Sequence, residues 1–255
     1  MTQIKQSIAW WCYEGSELTL EQLVRLAAEI GYSGIELVEQ RYWQHIKDHG
    51  LEIVTLKGQA AIEQGFNRRE HHADLEREVL ASIALAAQWG IPNVIVFSGN
   101  RDGLDDKTGA EITAQGLKRV ATTAANEGVT LLLELLNSKV DHPDYQADRT
   151  AWGVQVCQLV DSPALRLLYD IYHMQVMEGD IIGTIKQQHA YFGHYHTAGN
   201  PGRHELDATQ ELQYTAITQA IAATDYRGYI GQEFIPTGKA EAALRQAFEI
   251  CNVGA

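Results

Sequence analysis

The chain predicts a single (β/α)8 barrel spanning residues 1–255, and three observations lead there. Eight short strand-like runs alternate with longer amphipathic ones from end to end. Glycines follow helical runs just ahead of strands, where a left-handed cap is wanted. The 255 residues match the length at which an α/β barrel closes one full core.

Taken in order, the first strand candidate is Ile4 to Trp11. A helix follows over Leu18 to Ile30, where Leu20, Leu23, Val24 and Ala27 recur at the three- and four-residue spacing of an inward stripe. Gly31 ends it, Gly34 to Val38 is the second strand, and Gly50 precedes the third, Leu51 to Leu56. Ala73 to Trp89 reads as a helix closed by Gly90 ahead of Asn93 to Phe97. Thr108 to Asn126 leads through Gly128 into Val129 to Leu135. Thr150 to Leu159, Leu165 to Tyr169, Tyr191 to His196, Glu211 to Thr224, Tyr229 to Phe234 and Gly238 to Ile250 complete the alternation. No GxGxxG follows the first strand, which argues against an open dinucleotide-binding sheet. Long polar insertions at 57–72 and 136–149 each follow a strand, the side on which barrels build their active sites.

Composition narrows the class. Twenty Lys plus Arg against 33 Asp plus Glu give a formal charge of −13, which repels phosphate backbones and disfavours nucleic acid as a partner. Cys12, Cys157 and Cys251 are far apart with no CxxC spacing, so neither a disulfide framework nor a thiolate zinc site is expected. MTQIKQSIAWW has no basic region followed by a long apolar run, and no stretch reaches the ~18 apolar residues of a spanning helix. A cytoplasmic protein without a membrane partner is expected. Trp10, Trp11, Tyr42 and Trp43 are read as aromatics at the site mouth, at a contact in a homo-oligomer, or in rim packing.

Four strands end on metal-capable side chains: LLLEL on Glu134, LLYD on Asp170, YFGHYH on His196 and YIGQEF on Glu233. Three carboxylates and an imidazole converging behind apolar runs would repel one another without a cation. Oxygen-rich donors with one imidazole suit Mn²⁺, Mg²⁺ or Co²⁺, with Zn²⁺ also accommodated. An ion of this kind polarises a carbonyl, and two facing carboxylates, Glu134 and Glu233, can remove a proton and return it. Isomerase or epimerase chemistry on a small hydroxy-oxo acid or a ketose follows. His173 and Arg203 are candidates to bind substrate oxygens, with Lys57 and Asn137 at the same rim. His194, two residues before His196, is placed behind the ligand rather than among the four.

At LLLELLN (131–137), LLYDIYHMQVMEGD (167–180), GHYHTAGNPGR (193–203) and GYIGQEFIP (228–236), the chain resembles the xylose-isomerase-like barrels, most closely their hydroxypyruvate isomerase branch. The first half is similar mainly in layout, through SGIELVE at 33–39. The resemblance implies a divalent-metal site at Glu134, Asp170, His196 and Glu233, with the two glutamates as acid and base and His173 and Arg203 on the substrate. It implies conversion of hydroxypyruvate to tartronate semialdehyde through an enediolate. His196 stands where that branch often has glutamine, and there it is similar to the sugar epimerases, so ketose and keto sugar acid isomerisation or epimerisation is the alternative. A hydroxy-acid dehydratase shares the first proton abstraction. A DNA repair endonuclease of the same fold would need more histidines at the first strand ends and a basic groove, which the sequence lacks.

Overall fold

A computed structural model describes residues 4–253; Met1 to Gln3, the start of the segment read for a leader, lie outside the described residues. Contacts gather into two compact units, one from Met1–Val54, Asp180–His189 and Tyr195–Ala255, the other from Thr55–Gly179 and Ala190–His194.

In unit one, β1 (Lys5–Ala9) lies between β2 (Gly34–Glu36) and β9 (Tyr229–Gln232), and β2 pairs outward with β3 (Glu52–Ile53), all parallel. The second half of β8 (Phe192–Thr197) pairs with β9, setting His196 beside Gly231. Helix α1 (Leu20–Ile30) starts with a capping box, in which Thr19 accepts from the Gln22 amide and Gln22 from the Thr19 amide. It buries the predicted stripe of Leu20, Leu23, Val24 and Ala27. Helix α2 (Trp43–Asp48) and α7 (Ile181–Gln188) are short, and α8 (Tyr214–Ala222) and α9 (Ala240–Cys251) complete the unit.

Unit two repeats the scheme with β4 (Thr55–Lys57), β5 (Asn93–Val96), β6 (Thr130–Glu134) and β7 (Leu165–Asp170), parallel in chain order. Helices α3 (His72–Trp89), α4 (Asp106–Glu127), α5 (Thr150–Val160) and α6 (Ile171–Met177) follow strands. Leu131, Leu132, Leu133, Leu165, Leu167 and Leu168 are fully buried, as strands covered on both faces require. Gly90 and Gly128 take φ of 70° and 68° as the helix caps the sequence predicted.

The full order is β3-β2-β1-β9-β8-β7-β6-β5-β4. One segment, predicted as Leu51 to Leu56, supplies both ends of that order. The Val54 amide still bonds to Ile35 at 3.0 Å on the β2 side, whereas Gly58 bonds to Ile95 at 2.7 Å on the β5 side. Eight predicted strands therefore appear as nine, and the fold is the (β/α)8 barrel.

Trp10 and Trp43 are buried, Trp43 through an indole bond to the Val38 carbonyl, as the rim-packing reading of these aromatics requires. The 136–149 insertion packs inward: Leu136, Tyr145, Gln146, Ala147 and Asp148 are buried, tied down by Arg101, Ser98 and Asn67. Among the described residues Cys12, Cys157 and Cys251 are buried and none is in a disulfide, and no helix is long and apolar enough to cross a membrane.

Candidate active site

In unit one, Glu233 follows directly on β9 and is 3% exposed. Its Oε1 accepts from the Trp11 indole at 3.0 Å and its Oε2 from Arg203 Nη2 at 2.5 Å, while His196 Nδ1 lies 3.2 Å from that second oxygen. The Arg203 guanidinium also stacks over the Trp11 ring, 5.1 Å from its centroid. Burial alone would raise the Glu233 carboxyl, but the charges of His196 and Arg203 outweigh it and hold the group well below the usual carboxylate range. For His196 the balance is mirrored: burial favours a neutral ring, and the Glu233 and Glu36 carboxylates lift it well above the ordinary imidazole value. Arg203 reaches this position from a left-handed backbone, φ 59°, which costs a non-glycine residue about 1–2 kcal/mol. Its amide on Gly199 at 2.9 Å and the Ile235 amide on its carbonyl at 2.8 Å hold that turn.

Glu36, at the end of β2, is a site residue that strand-end reasoning missed. It is wholly buried, accepts from Ser7 Oγ through Oε1, and sets Oε2 3.1 Å from His196 Nε2. The signal was present in the sequence, because GIE ends on an acid just as LLLEL does. Trp11, expected at the end of the first strand and among the aromatics read at the site mouth, falls in the 3-10 turn Trp10–Tyr13, from which its indole reaches Glu233.

Unit two carries Glu134 and Asp170 at the ends of β6 and β7, 6% and 1% exposed. Asp170 caps α6, its Oδ1 accepting from the His173 amide at 2.8 Å, and its Oδ2 lies 3.9 Å from His173 Nε2. The Glu134 carbonyl accepts from Tyr145 Oη at 2.9 Å, so the buried insertion anchors the strand end. His173 is wholly buried, and its Nδ1 accepts from the Asn137 main-chain amide at 3.1 Å. An amide can only donate, so a neutral His173 keeps its proton on Nε2. Asn137 is committed to the chain: Oδ1 accepts from the Val140 and Asp141 amides at 3.0 and 2.9 Å, and Nδ2 bonds to Asp141 at 2.6 Å. Lys57 is exposed at the end of β4.

The profile of the xylose isomerase-like TIM barrel family matches residues 24–252. The chain belongs to this family. A 2-oxo-tetronate isomerase of Cupriavidus necator is 32% identical over 173 residues, 68% of this chain and 66% of that protein. A hydroxypyruvate isomerase of Escherichia coli K12 is 29% identical over 234 residues, 86% of this chain and 89% of its own length. A Danio rerio relative is matched at 34% identity over only 46% of its length. Among solved structures, an AP endonuclease, family 2, from Brucella melitensis superposes with TM-score 0.87 at 27% identity, covering 98% of this chain and 100% of that one.

Within this xylose isomerase-like barrel, the MEGD run at 177–180 does structural work. Glu178 accepts from the Thr150 amide at 2.9 Å and hydroxyl at 2.7 Å, closing the start of α5, and Gly179 turns the chain at φ 69°. His194 is buried on β8.

Proposed function

We propose that this chain is a divalent-cation-dependent isomerase of a small 2-oxo hydroxy acid, converting hydroxypyruvate to tartronate semialdehyde. One observation carries the reading: strand ends carry buried metal-capable side chains, Glu134 and Asp170 on β6 and β7 in unit two, and His196 on β8 with Glu233 just after β9 in unit one, where His196 Nδ1 lies 3.2 Å from Glu233 Oε2. Three carboxylates and an imidazole taken out of water together need a positive counter-charge, and that donor set fits Mn²⁺, Mg²⁺ or Co²⁺, with Zn²⁺ also accommodated. A cation bound there supplies Lewis acidity towards a substrate carbonyl.

The chain's own residues move the proton. Glu233, its carboxylate paired with the Arg203 guanidinium, takes a proton from the hydroxymethyl carbon, Glu134 in its acid form returns one to the former carbonyl carbon, and the hydroxyl proton passes from one substrate oxygen of the enediolate to the other. His173 presents its Nε2–H to a substrate oxygen, with Asn137 holding the ring from behind. Arg203, and Lys57 at the rim, are assigned to the substrate carboxylate.

The Cupriavidus relative favours a second substrate, a 2-oxo-tetronate, whose 2-oxo acid head undergoes the same proton transfer. Incubation of each acid with Mn²⁺ in deuterated water separates the two: isomerised product carrying solvent deuterium is expected from one or both, and chelator removes the activity. E134Q and E233Q are each expected to lower turnover by about 10²- to 10⁴-fold. The reading fails if neither acid turns over, or if either variant keeps near-normal turnover. Cleavage of abasic duplex instead would point to the nuclease reading, which the charge of −13 disfavours.

A further inference from the structure

Ser7, Glu36 and His196 form a buried chain of polar groups behind the proposed ligand set. In the parallel register Ser7 pairs with both Gly34 and Gly231, and His196 pairs with Gly231 on the other side. Ser7 and His196 thus stand level with a glycine between them, and the missing side chain leaves a slot. Glu36, two residues beyond Gly34 on β2, fills that slot. A Cβ at position 231 would come within 2.4 Å of Glu36 Oε1 and 2.8 Å of His196 Cδ2. All three polar residues are wholly buried, where a carboxylate is tolerated only if its oxygens are paired. Here one oxygen takes Ser7 Oγ and the other His196 Nε2.

We infer that Glu36 is a positioning residue which fixes the proton of His196 on Nε2 and so presents Nδ1 as the ring's ligand atom; the inference rests on the reading of His196 as a cation ligand. A carboxylate accepts and does not donate, so the nitrogen facing Glu36 carries the hydrogen. The other nitrogen, Nδ1, lies 3.2 Å from Glu233 Oε2, and because Glu233 belongs to the same proposed ligand set, a cation between them takes the place of the proton that Nδ1 carries in the metal-free site. A carboxylate behind a metal-binding imidazole fixes ring orientation and raises its basicity, and losing such a partner typically weakens metal affinity about 10- to 100-fold. Ser7 in turn sets the rotation of the carboxylate.

Mn²⁺ binding without substrate, followed by the electron paramagnetic resonance of the free ion, tests this apart from turnover. Glu36→Gln, which keeps the volume, is expected to weaken Mn²⁺ binding about 10-fold or more. The double variant with His196→Ala is expected to bind no more weakly than His196→Ala alone, because Glu36 acts only through that ring. Ser7→Ala, which disturbs folding least, is expected to weaken binding about 3-fold. Wild-type affinity in Glu36→Gln or Ser7→Ala beside an impaired His196→Ala would overturn the positioning role alone. So would a double variant that falls below His196→Ala by the full single-variant factor. Wild-type affinity in His196→Ala would overturn the ligand reading itself, and this inference with it.

Discussion

In unit one the polar centre is held by side chains that carry charge: Glu233 sits against Arg203, His196 and Trp11, and His196 sits against Glu36. In unit two Asp170 accepts from the His173 main-chain amide, and His173 Nδ1 meets the main-chain amide and the side-chain Nδ2 of Asn137, all of them uncharged amides. The first arrangement makes structure depend on ionisation. The second makes it depend on the shape of two strand-to-helix turns. Substitutions in the two units should therefore differ in how their effects respond to pH, as well as in size.

The largest effect is expected for Arg203→Ala in metal-free protein. Removing the guanidinium leaves the buried Glu233 carboxylate short of a partner, at a cost of about 3 kcal/mol at pH 7 in urea unfolding. The sign with pH follows from the depressed Glu233 carboxyl. Its stabilising contribution is complete above the unfolded value of about 4.3 and is lost as pH falls through the lower folded value. The gap between wild type and variant should therefore narrow below about pH 4. A gap that stayed constant to pH 3 would show that charge is not what holds unit one. Asn137→Ala comes next, at about 2 kcal/mol, since it leaves the Val140 and Asp141 amides without their acceptor. Its cost should be flat between pH 7 and 9, and a steep dependence there would erase the contrast. Glu178→Ala removes the acceptor at the start of α5 and should cost about 1 kcal/mol, read from the urea midpoint.

The same contrast explains what could be read from sequence. Strand and helix positions were legible because periodicity and closing glycines are local: Val129 to Leu135 was expected where Thr130–Glu134 forms, and Ala73 to Trp89 where His72–Trp89 forms. Helices α2, α6 and α7 were not read, because six to eight residues span too few turns for a stripe to repeat. The strand-end rule picked out Glu134, Asp170, His196 and Glu233, yet passed over Glu36, because the second strand was read on to Val38 with Glu36 in its middle, whereas β2 ends at Glu36. Asn137 was read as a substrate contact because sequence spacing cannot show that its amide and carbonyl oxygen are spent on a turn. Arg203 and Trp11 meet Glu233 only through a left-handed loop and a 3-10 turn, geometries that carry no period at all.

The smallest effect is expected at the thiols, and it separates the units most directly. Cys251 lies in unit one and Cys157 in unit two, 1% and 6% exposed, and burial pushes both thiols up to about 12. At pH 8 a group with that value is thiolate in only about one molecule in 10⁴, so neither should react with a disulfide reagent in the folded protein. Reaction then requires local opening, and its rate reports the unit that opens. Arg203→Ala should speed labelling of Cys251 more than Cys157, and Asn137→Ala the reverse, with peptide mass spectrometry identifying the site. Equal acceleration of both thiols in either variant would mean that the two units open together, and that charge and main-chain anchoring stabilise one cooperative structure.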